Sequence, residues 1–209
     1  MSTLKLKVCG MRERSNIQDV ASLRPDYIGF IFYEKSKRFV GPDFTLNHIE
    51  LKEIKKVGVF VNAELSYLQQ QVTKHGLNFV QLHGDETPEF CQKANALGIS
   101  VIKAIGIHSG FDFRTLEEFK PFVEHFLFDT KSEAYGGTGK TFDWGLLNLY
   151  DQETSFFLSG GIGIEEIEVL KASNFNNWNI HAIDVNSKFE DAPGIKNIER
   201  LRTLRSILS

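Results

Sequence analysis

The sequence predicts an α/β fold, a closed (β/α)8 barrel in which residues 1–209 form a single domain. Short apolar runs rich in Val, Ile and Phe recur along the chain and alternate with segments of helical length and pattern. The runs are nearly continuous rather than alternately apolar and polar, which is typical of parallel strands covered on both faces. Eight strand and helix units are the number that closes a barrel, and the chain is at the short end of the length range for that fold.

The apolar runs and the helical segments follow one another without a linker or a low-complexity tract. The predicted strands are residues 5–10, 27–32, 56–61, 79–84, 100–107, 126–130, 155–161 and 181–186. The predicted helices are residues 17–23, 46–54, 64–75, 87–98, 111–119, 143–150, 164–173 and 198–208. Thr87 followed by Pro88 indicates a helix start, because Thr is a favoured N-cap and Pro a favoured first helical residue. Such close alternation implies right-handed crossovers, and an open doubly wound sheet is the alternative fold.

Composition excludes several classes of partner. The formal net charge of −3, with acids and bases mixed along the chain, does not indicate binding to nucleic acid or to a membrane surface. Two cysteines do not make a disulfide framework, so a reduced, cytoplasmic setting is expected. The N-terminal segment lacks an apolar signal region, and no run approaches the roughly 18 apolar residues of a membrane span.

Polar residues and glycines are concentrated where the predicted strands end. In a barrel of this kind the functional groups lie at the carboxyl ends of the strands and in the loops that follow. Those positions are Cys9, Phe32, Asn62, His83, Gly106, Asp129, Ser159, Gly160, Gly161, Asp184, Asn186 and Ser187. The repetition of this pattern over successive units predicts a site at that end of the barrel.

Cys9 and Asp129 are the candidate catalytic pair. Cys9 is either a small buried apolar residue or a thiolate base or nucleophile, if a nearby positive charge or a helix N-terminus lowers its pKa. Asp129 is either a turn cap or a general acid, and apolar neighbours at 126–128 are expected to raise the pKa of its carboxyl. Cys91 lies inside a helical pattern and is interpreted as packing.

Three further features suit an anionic substrate. Gly160 and Gly161 precede the helix that starts near Ile164, where free N–H groups and the helix dipole favour an anion; the alternative is a tight turn. The loop after strand 8 is the usual partner of such a phosphate site. Arg38 offers a guanidinium fork for a substrate carboxylate or is simply a solvated charge. His83 either orients the substrate or bonds a neighbouring loop, and the sequence leaves both readings open.

Residues 134–141 come within one residue of the phosphate-loop pattern G-x-x-x-x-G-K-[ST], with Ala134 in place of the first glycine. A nucleoside-triphosphate site needs a helix that starts at the Lys-Thr pair, whereas residues 142–145 have the pattern of a fresh helix start capped by Asp143. The segment is therefore interpreted as a glycine-rich loop that follows Asp129 and covers the substrate.

Several motifs in this chain occur together in one known family. They are KVCGM at 7–11, the S-x-R of 36–38, GVFVN at 58–62, VQLHGDE at 80–86, the stretch 126–144, LSGGI at 158–162, DVNS at 184–187 and PGIKN at 193–197. In content, order and spacing the chain resembles the N-(5′-phosphoribosyl)anthranilate isomerases of tryptophan biosynthesis from end to end. The resemblance implies a TIM barrel, an Amadori rearrangement of a phosphosugar substrate, and neither cofactor nor metal.

Residue roles follow from the resemblance position by position. It implies that Cys9 is the general base, Asp129 the general acid and Arg38 the contact to the anthranilate group. It places the phosphate at Gly160 and Gly161, helped by Asn186 and Ser187, and it leaves His83 and Asp184 as further substrate-binding candidates. One departure is evident, because the family often has Ser-Gly-Val-Glu after strand 8 where this chain has Ser-Lys-Phe-Glu at 187–190. Lys188 is the candidate for a cationic contact in place of the missing glycine.

Two rival classes share some of these features. Another phosphosugar barrel enzyme, such as an indole-glycerol-phosphate synthase or a sugar-phosphate epimerase, shares the phosphate loops, but such a synthase needs catalytic lysine and glutamate pairs on strands that carry Val and Phe here. A non-catalytic phosphate binder needs Gly160 and Gly161 without Cys9 and Asp129. The oligomeric state is expected to be a monomer or a homodimer.

Overall fold

The computed structural model describes residues 4–130, 142–172 and 178–208. Eight parallel strands pair in chain order and close into a barrel, which confirms the predicted fold class and excludes the open sheet. The strands are β1 Lys5–Val8, β2 Tyr27–Ile31, β3 Lys55–Phe60, β4 Phe79–Leu82, β5 Ser100–Ile107, β6 His125–Thr130, β7 Phe156–Leu158 and β8 Ile180–Val185. The β1–β8 pairing closes the ring and sets Lys7 opposite Asp184.

The described residues contain five α-helices, four in crossovers between barrel strands and one after β8. They are α1 Arg14–Ser22, α2 Leu65–His75, α3 Pro88–Ala96, α4 Ile164–Ala172 and α5 Ile198–Leu208. The predicted start of α3 is confirmed, since the Thr87 hydroxyl accepts a hydrogen bond from the N–H of Phe90 at 3.3 Å. None of the helices in the described ranges is long and apolar enough to cross a membrane.

The predicted helices at 46–54, 111–119 and 143–150 are wrong as α-helices. The first is a series of turns in which His48 has a φ of +63°, a left-handed conformation that an α-helix does not continue. The other two contain the 3₁₀ segments Phe113–Leu116 and Trp144–Leu149. An aspartate side chain caps each of these by accepting from the N–H two residues later, which favours a tight turn over a regular helix.

The core has two layers, set by the alternation of side chains along each strand. The larger layer lies between the barrel and its surrounding segments, and it contains Cys91 as packing, as predicted. The smaller layer fills the barrel and consists of Tyr27, Val57, Phe79, Ile102, Ala104, Leu127, Phe157 and Ala182. Because these side chains block the lower barrel, any ligand site must lie above them, at the carboxyl ends of the strands. After β8 a 3₁₀ segment at Ser187–Phe189 leads into the antiparallel pair β9 Glu190–Ala192 and β10 Ile195–Lys196.

Candidate active site

A cavity of about 790 Å³, measured out to its open mouth, occupies the carboxyl-terminal end of the barrel. Strand-end residues from most of the units line its wall, as the sequence pattern predicts. The predicted site residues in that wall are Cys9, Arg38, His83, Asp129, Gly160, Gly161, Asp184, Asn186 and Ser187. The fold therefore brings together every residue to which the sequence assigns a role, although these residues are spread over nearly the whole chain, whereas the strand-end positions Phe32, Asn62 and Gly106 do not line the cavity.

Cys9 follows β1 and is buried at the base of the cavity wall. Its N–H donates to the Val185 carbonyl at 2.9 Å, and a Cβ at Gly29 on β2 would come within 2.7 Å of its sulfur. Burial raises the pKa of the Cys9 thiol, and the positive charges of Lys7 and Lys196 oppose that effect without overcoming it. Nearby positive charge, the condition that the sequence sets for a thiolate, is therefore present, but it does not bring the Cys9 pKa below its ordinary value.

Lys7 is a site residue that the sequence analysis missed. Its side chain is fully buried, and its ammonium donates to Asp184 Oδ2 at 2.7 Å and to Gln81 Oε1 at 2.8 Å. Cys9 is a further neighbour that acts on the charge of this ammonium. Burial works to lower the pKa of Lys7, but Asp184 and Cys9 together raise it above its ordinary value. The sequence feature that could have indicated Lys7 is a lysine inside an apolar strand, two residues before a cysteine at the strand end.

Asp184 faces Lys7 across the β1–β8 pairing. Its Oδ2 is taken by Lys7, whereas its buried Oδ1 has no hydrogen-bond partner among the residues that the structure describes. Burial raises the pKa of Asp184, and the opposing effect of Lys7 does not cancel the rise. The free carboxylate oxygen suits a hydroxyl of a ligand in the cavity, because an unsatisfied buried acceptor is costly to maintain.

His83 and Asp129 both line the cavity, and their side chains lie close together. His83 Nδ1 is 2.7 Å from Gln81 Nε2, and its Nε2 is 3.6 Å from Asp129 Oδ2. Asp129 Oδ1 accepts from the N–H of Thr130 at 2.7 Å. The expected apolar surround of Asp129 is wrong for Phe126 and Phe128, because strand alternation turns both into the outer core layer.

Arg38 is already paired with a carboxylate. Its Nη2 is 2.7 Å from Glu190 Oε2 and its Nε is 2.9 Å from Glu190 Oε1, while the Lys196 ammonium is 2.5 Å from the same Oε1. Burial by itself works to raise the pKa of Glu190, but Arg38 and Lys196 lower it. The sequence analysis chose Arg38 as a fork for substrate and missed Glu190, which occupies that fork from the β9–β10 pair.

The loop after β7 has the backbone that the glycine pattern predicts. Gly160 and Gly161 have φ values of +92° and +66°, and a Cβ at Gly160 would come within 2.8 Å of Asp129 Oδ1. The N–H of Gly163, at the start of the helix that follows this loop, is not free, since it donates to Glu166 Oε2 at 2.7 Å. Lys188 lies against the same loop, with its Cγ 3.8 Å from where a Gly163 Cβ would be.

The remaining predictions at the site concern Asn186 and the glycine-rich loop. Asn186 lines the cavity, but its Oδ1 accepts from Lys196 Nζ at 2.8 Å. The glycine-rich loop and the phosphate-loop lookalike at 134–141 lie outside the described residues, whereas Asp143 caps Gly145 as predicted. Within 4–130, 142–172 and 178–208, no cluster of three or more His, Cys, Asp or Glu side chains suits a metal ion.

The matching family model and the sequence relatives describe the same enzyme. A family model described as N-(5′-phosphoribosyl)anthranilate (PRA) isomerase matches residues 6–206. The N-(5′-phosphoribosyl)anthranilate isomerase of Parabacteroides distasonis is 46% identical over 200 residues, which cover 94% of this chain and 90% of that protein. A monomer form of the dimeric enzyme from Thermotoga maritima superposes with a TM-score of 0.81 at 29% identity over 98% of both chains. A phosphoribosyl anthranilate isomerase in complex with reduced 1-(o-carboxyphenylamino)-1-deoxyribulose 5-phosphate gives a TM-score of 0.75 at 28% identity, again over 98% of both.

Proposed function

The chain belongs to the N-(5′-phosphoribosyl)anthranilate isomerase family, and from that premise we propose that Cys9 is the general base of its reaction and Asp129 the general acid. The enzyme is an aldose–ketose isomerase of tryptophan biosynthesis. It converts N-(5′-phosphoribosyl)anthranilate to 1-(o-carboxyphenylamino)-1-deoxyribulose 5-phosphate by an Amadori rearrangement. The observation that carries the proposal is that a thiol directly after β1 and a carboxyl on β6 line one cavity beside a positive-φ glycine loop.

The proposed mechanism is a series of proton transfers. Asp129 gives its proton to the furanose ring oxygen, the ring bond to C1′ breaks, and a protonated Schiff base forms. The Cys9 thiolate then takes the proton from C2′, which gives an enolamine. Tautomerisation of the enolamine, which gains a proton at C1′ and loses the C2′ hydroxyl proton, yields the ketone. These steps need only acids and bases, so the proposal includes neither cofactor nor metal.

The environment of Cys9 suits a strong base. A thiol whose pKa is raised by burial is a stronger base once it is deprotonated, and the adjacent Lys7 ammonium stabilises the thiolate. Asp184 completes the arrangement by holding Lys7 in place at 2.7 Å. We therefore assign Lys7 to the support of the thiolate and Asp184 Oδ1 to a substrate hydroxyl.

The substrate's two anionic groups have separate places in the cavity. We assign the phosphate to the loops at Gly160, Gly161 and 186–188, where Lys188 supplies the charge. We assign the anthranilate carboxylate to the edge of Arg38 that Glu190 leaves open, since the guanidinium has five donors and the pairing with Glu190 uses only its Nε and Nη2. Glu190 and Lys196 then serve to hold the guanidinium in one orientation.

The test is turnover by two single variants. Cys9→Ala and Asp129→Asn should each lower kcat by at least about 100-fold with little change in KM, because each removes a positioned acid or base. The measurement is the loss of phosphoribosylanthranilate fluorescence under saturating substrate. Cys91→Ala, a buried cysteine outside the cavity, is the matched control and should keep kcat near that of the wild type. A wild-type kcat in either site variant contradicts the assigned role.

We propose a cytoplasmic monomer or homodimer as the working form. The Thermotoga maritima relative is described as dimeric, and the site residues named above all come from one chain. Light scattering across the working concentration range distinguishes the two states, and activity per chain should be equal in both.

A further inference from the structure

Four polar side chains form a continuous row through the wall of the cavity, from Asp184 through Lys7 and Gln81 to His83. The successive heavy-atom distances are 2.7 Å, 2.8 Å and 2.7 Å. Lys7 is 0% exposed and Gln81 is 1% exposed, so water does not compete for these hydrogen bonds. The row ends at His83 Nε2, which faces Asp129 Oδ2 at 3.6 Å.

The charge of Lys7 fixes the direction of every hydrogen bond in the row. An ammonium donates and never accepts, so the Gln81 atom that faces Lys7 is the amide oxygen. The amide nitrogen of Gln81 then faces His83 Nδ1 and donates to it. Because Nδ1 accepts, the proton of the neutral imidazole is on Nε2.

We infer that Lys7 and Gln81 are positioning residues that hold His83 in its Nε2–H tautomer, with the N–H directed at Asp129. This inference rests on the proposed role of Asp129 as general acid. When Asp129 gives up its proton, an adjacent N–H donor stabilises the carboxylate that forms, whereas the lone pair of the other tautomer repels it. A separation of 3.6 Å is too long for a hydrogen bond, and a sub-ångström movement of either side chain closes it.

Lys7 is well suited to impose this direction, because it remains charged. Burial works against the ammonium, but Asp184 and Cys9 outweigh burial and raise the pKa of Lys7. The same ammonium therefore favours the thiolate of the proposed base and orients, through Gln81, the partner of the proposed acid. Removing the donor function of Gln81 while keeping its acceptor function separates the effect on His83 from the effect on Cys9.

The variant Gln81→Glu breaks the row at a single point. A carboxylate still accepts from Lys7, but it cannot donate to His83, so Nδ1 becomes the protonated nitrogen. The measurement is a long-range ¹H–¹⁵N correlation spectrum of protein labelled at its histidine rings, with His83 assigned from the signals that His83→Asn removes. We expect a proton on Nε2 and a bare Nδ1 in the wild type, and a protonated Nδ1 in Gln81→Glu.

Kinetics give the second readout. Gln81→Glu should lower kcat by roughly tenfold or more with little change in KM, as loss of a donor to a developing anion does. Gln71→Glu is the matched control, since it places the same carboxylate at another buried glutamine, on α2 and outside the cavity wall. It should leave the His83 spectrum and kcat unchanged.

The two proposals fail separately. A protonated Nδ1 in the wild type, or an unchanged His83 spectrum or kcat in folded Gln81→Glu, overturns the positioning role. If Gln81→Glu does not fold, the wild-type spectrum alone decides. An unaltered kcat in Asp129→Asn, with His83 still protonated on Nε2, overturns the acid assignment and leaves the tautomer assignment standing.

Discussion

Polar side chains are neutral at one end of the barrel interior and form an ion pair at the other. At the amino-terminal end, called here the floor, lie Tyr27, Phe79, His125, Phe157 and His181. At the carboxyl-terminal end, called here the mouth, lie Lys7, Cys9, Gln81, His83, Asp129 and Asp184. Strands β6 and β8 carry ionisable side chains at both ends, yet among the described residues only the mouth holds buried charges in a hydrogen-bonded pair inside the barrel.

The floor is neutral because it is closed. The rings of His125 and His181 lie 3.8 Å apart among aromatic neighbours, and burial lowers the pKa of each to about 4. His181 Nε2 bonds the Tyr27 hydroxyl at 2.7 Å, and His125 Nδ1 bonds the Ser155 hydroxyl at 2.7 Å. At the mouth, by contrast, Lys7 and Asp184 are both buried and remain paired. Position along a strand therefore decides whether an inward polar group is held neutral among aromatic rings or paired with an opposite charge beside the cavity.

The largest expected effect comes from breaking the pair at the mouth. Lys7→Met leaves Asp184 as a buried charge without its partner, and it should lower the free energy of unfolding by about 3–5 kcal/mol. It should also lower kcat, because Cys9 loses its cation. Urea unfolding and turnover measure the two effects.

Two further variants sharpen that experiment. Lys7→Met combined with Asp184→Leu should recover much of the stability and none of the activity, since the unpaired charge is gone but the site is not restored. Lys5→Met, at the exposed start of the same strand, should change stability by no more than about 0.5 kcal/mol. Equal losses from Lys5 and Lys7 contradict the contrast between a paired buried lysine and an exposed one.

The floor histidines should make the protein less stable as pH falls. Both floor histidines have a pKa lowered from 6.5 to about 4, so the unfolded chain binds more protons between those values. The full free energy of unfolding is therefore present above about pH 6.5, and part of it is lost as pH falls toward 4. The loss should be about 2 kcal/mol, because the two rings are coupled to each other and to Lys5, Glu124 and Asp26. Urea unfolding at a series of pH values measures the loss.

One variant isolates the floor histidine. His125→Phe keeps a ring against Phe79 and Phe157 but removes one titrating group, so stability should fall less steeply as pH falls from 6.5 toward 4. His108→Phe, at a partly exposed histidine outside the barrel, should leave the slope unchanged. A His125→Phe slope equal to that of the wild type is incompatible with a neutral floor.

The smallest expected effect is at the rim of the mouth. Lys188→Ala should raise KM about fivefold and leave kcat unchanged, because a contact to the phosphate contributes equally to ground state and transition state. The difference should shrink at high salt, as expected for a solvent-accessible charge. Lys52→Ala removes a lysine whose side chain is 83% exposed, far from the cavity wall, and should leave KM alone. A change in kcat rather than KM places Lys188 in the chemistry instead of in binding.

The sequence pattern indicates the residues at the strand ends but not the residues that hydrogen-bond to them. Cys9 and Asp129 follow apolar runs directly, so their position alone indicates a site. Lys7 and Gln81 lie within strands, where one sequence cannot show which face is inside or which partner is opposite. Glu190 belongs to a β9–β10 pair that no periodicity indicates, so its hold on Arg38 was not predictable.

The sequence by itself determined the barrel, its strand order and the end at which function lies, because apolar runs, helical segments and strand-end polar residues are local patterns. Only the tertiary structure decided the state of the site: that burial outweighs nearby cations at Cys9, that Glu190 holds Arg38, and that Lys7 pairs with Asp184. The physical reason is that desolvation and ion pairing depend on which distant segments meet. Lys7 and Asp184 are 177 residues apart along the chain and 2.7 Å apart in the barrel.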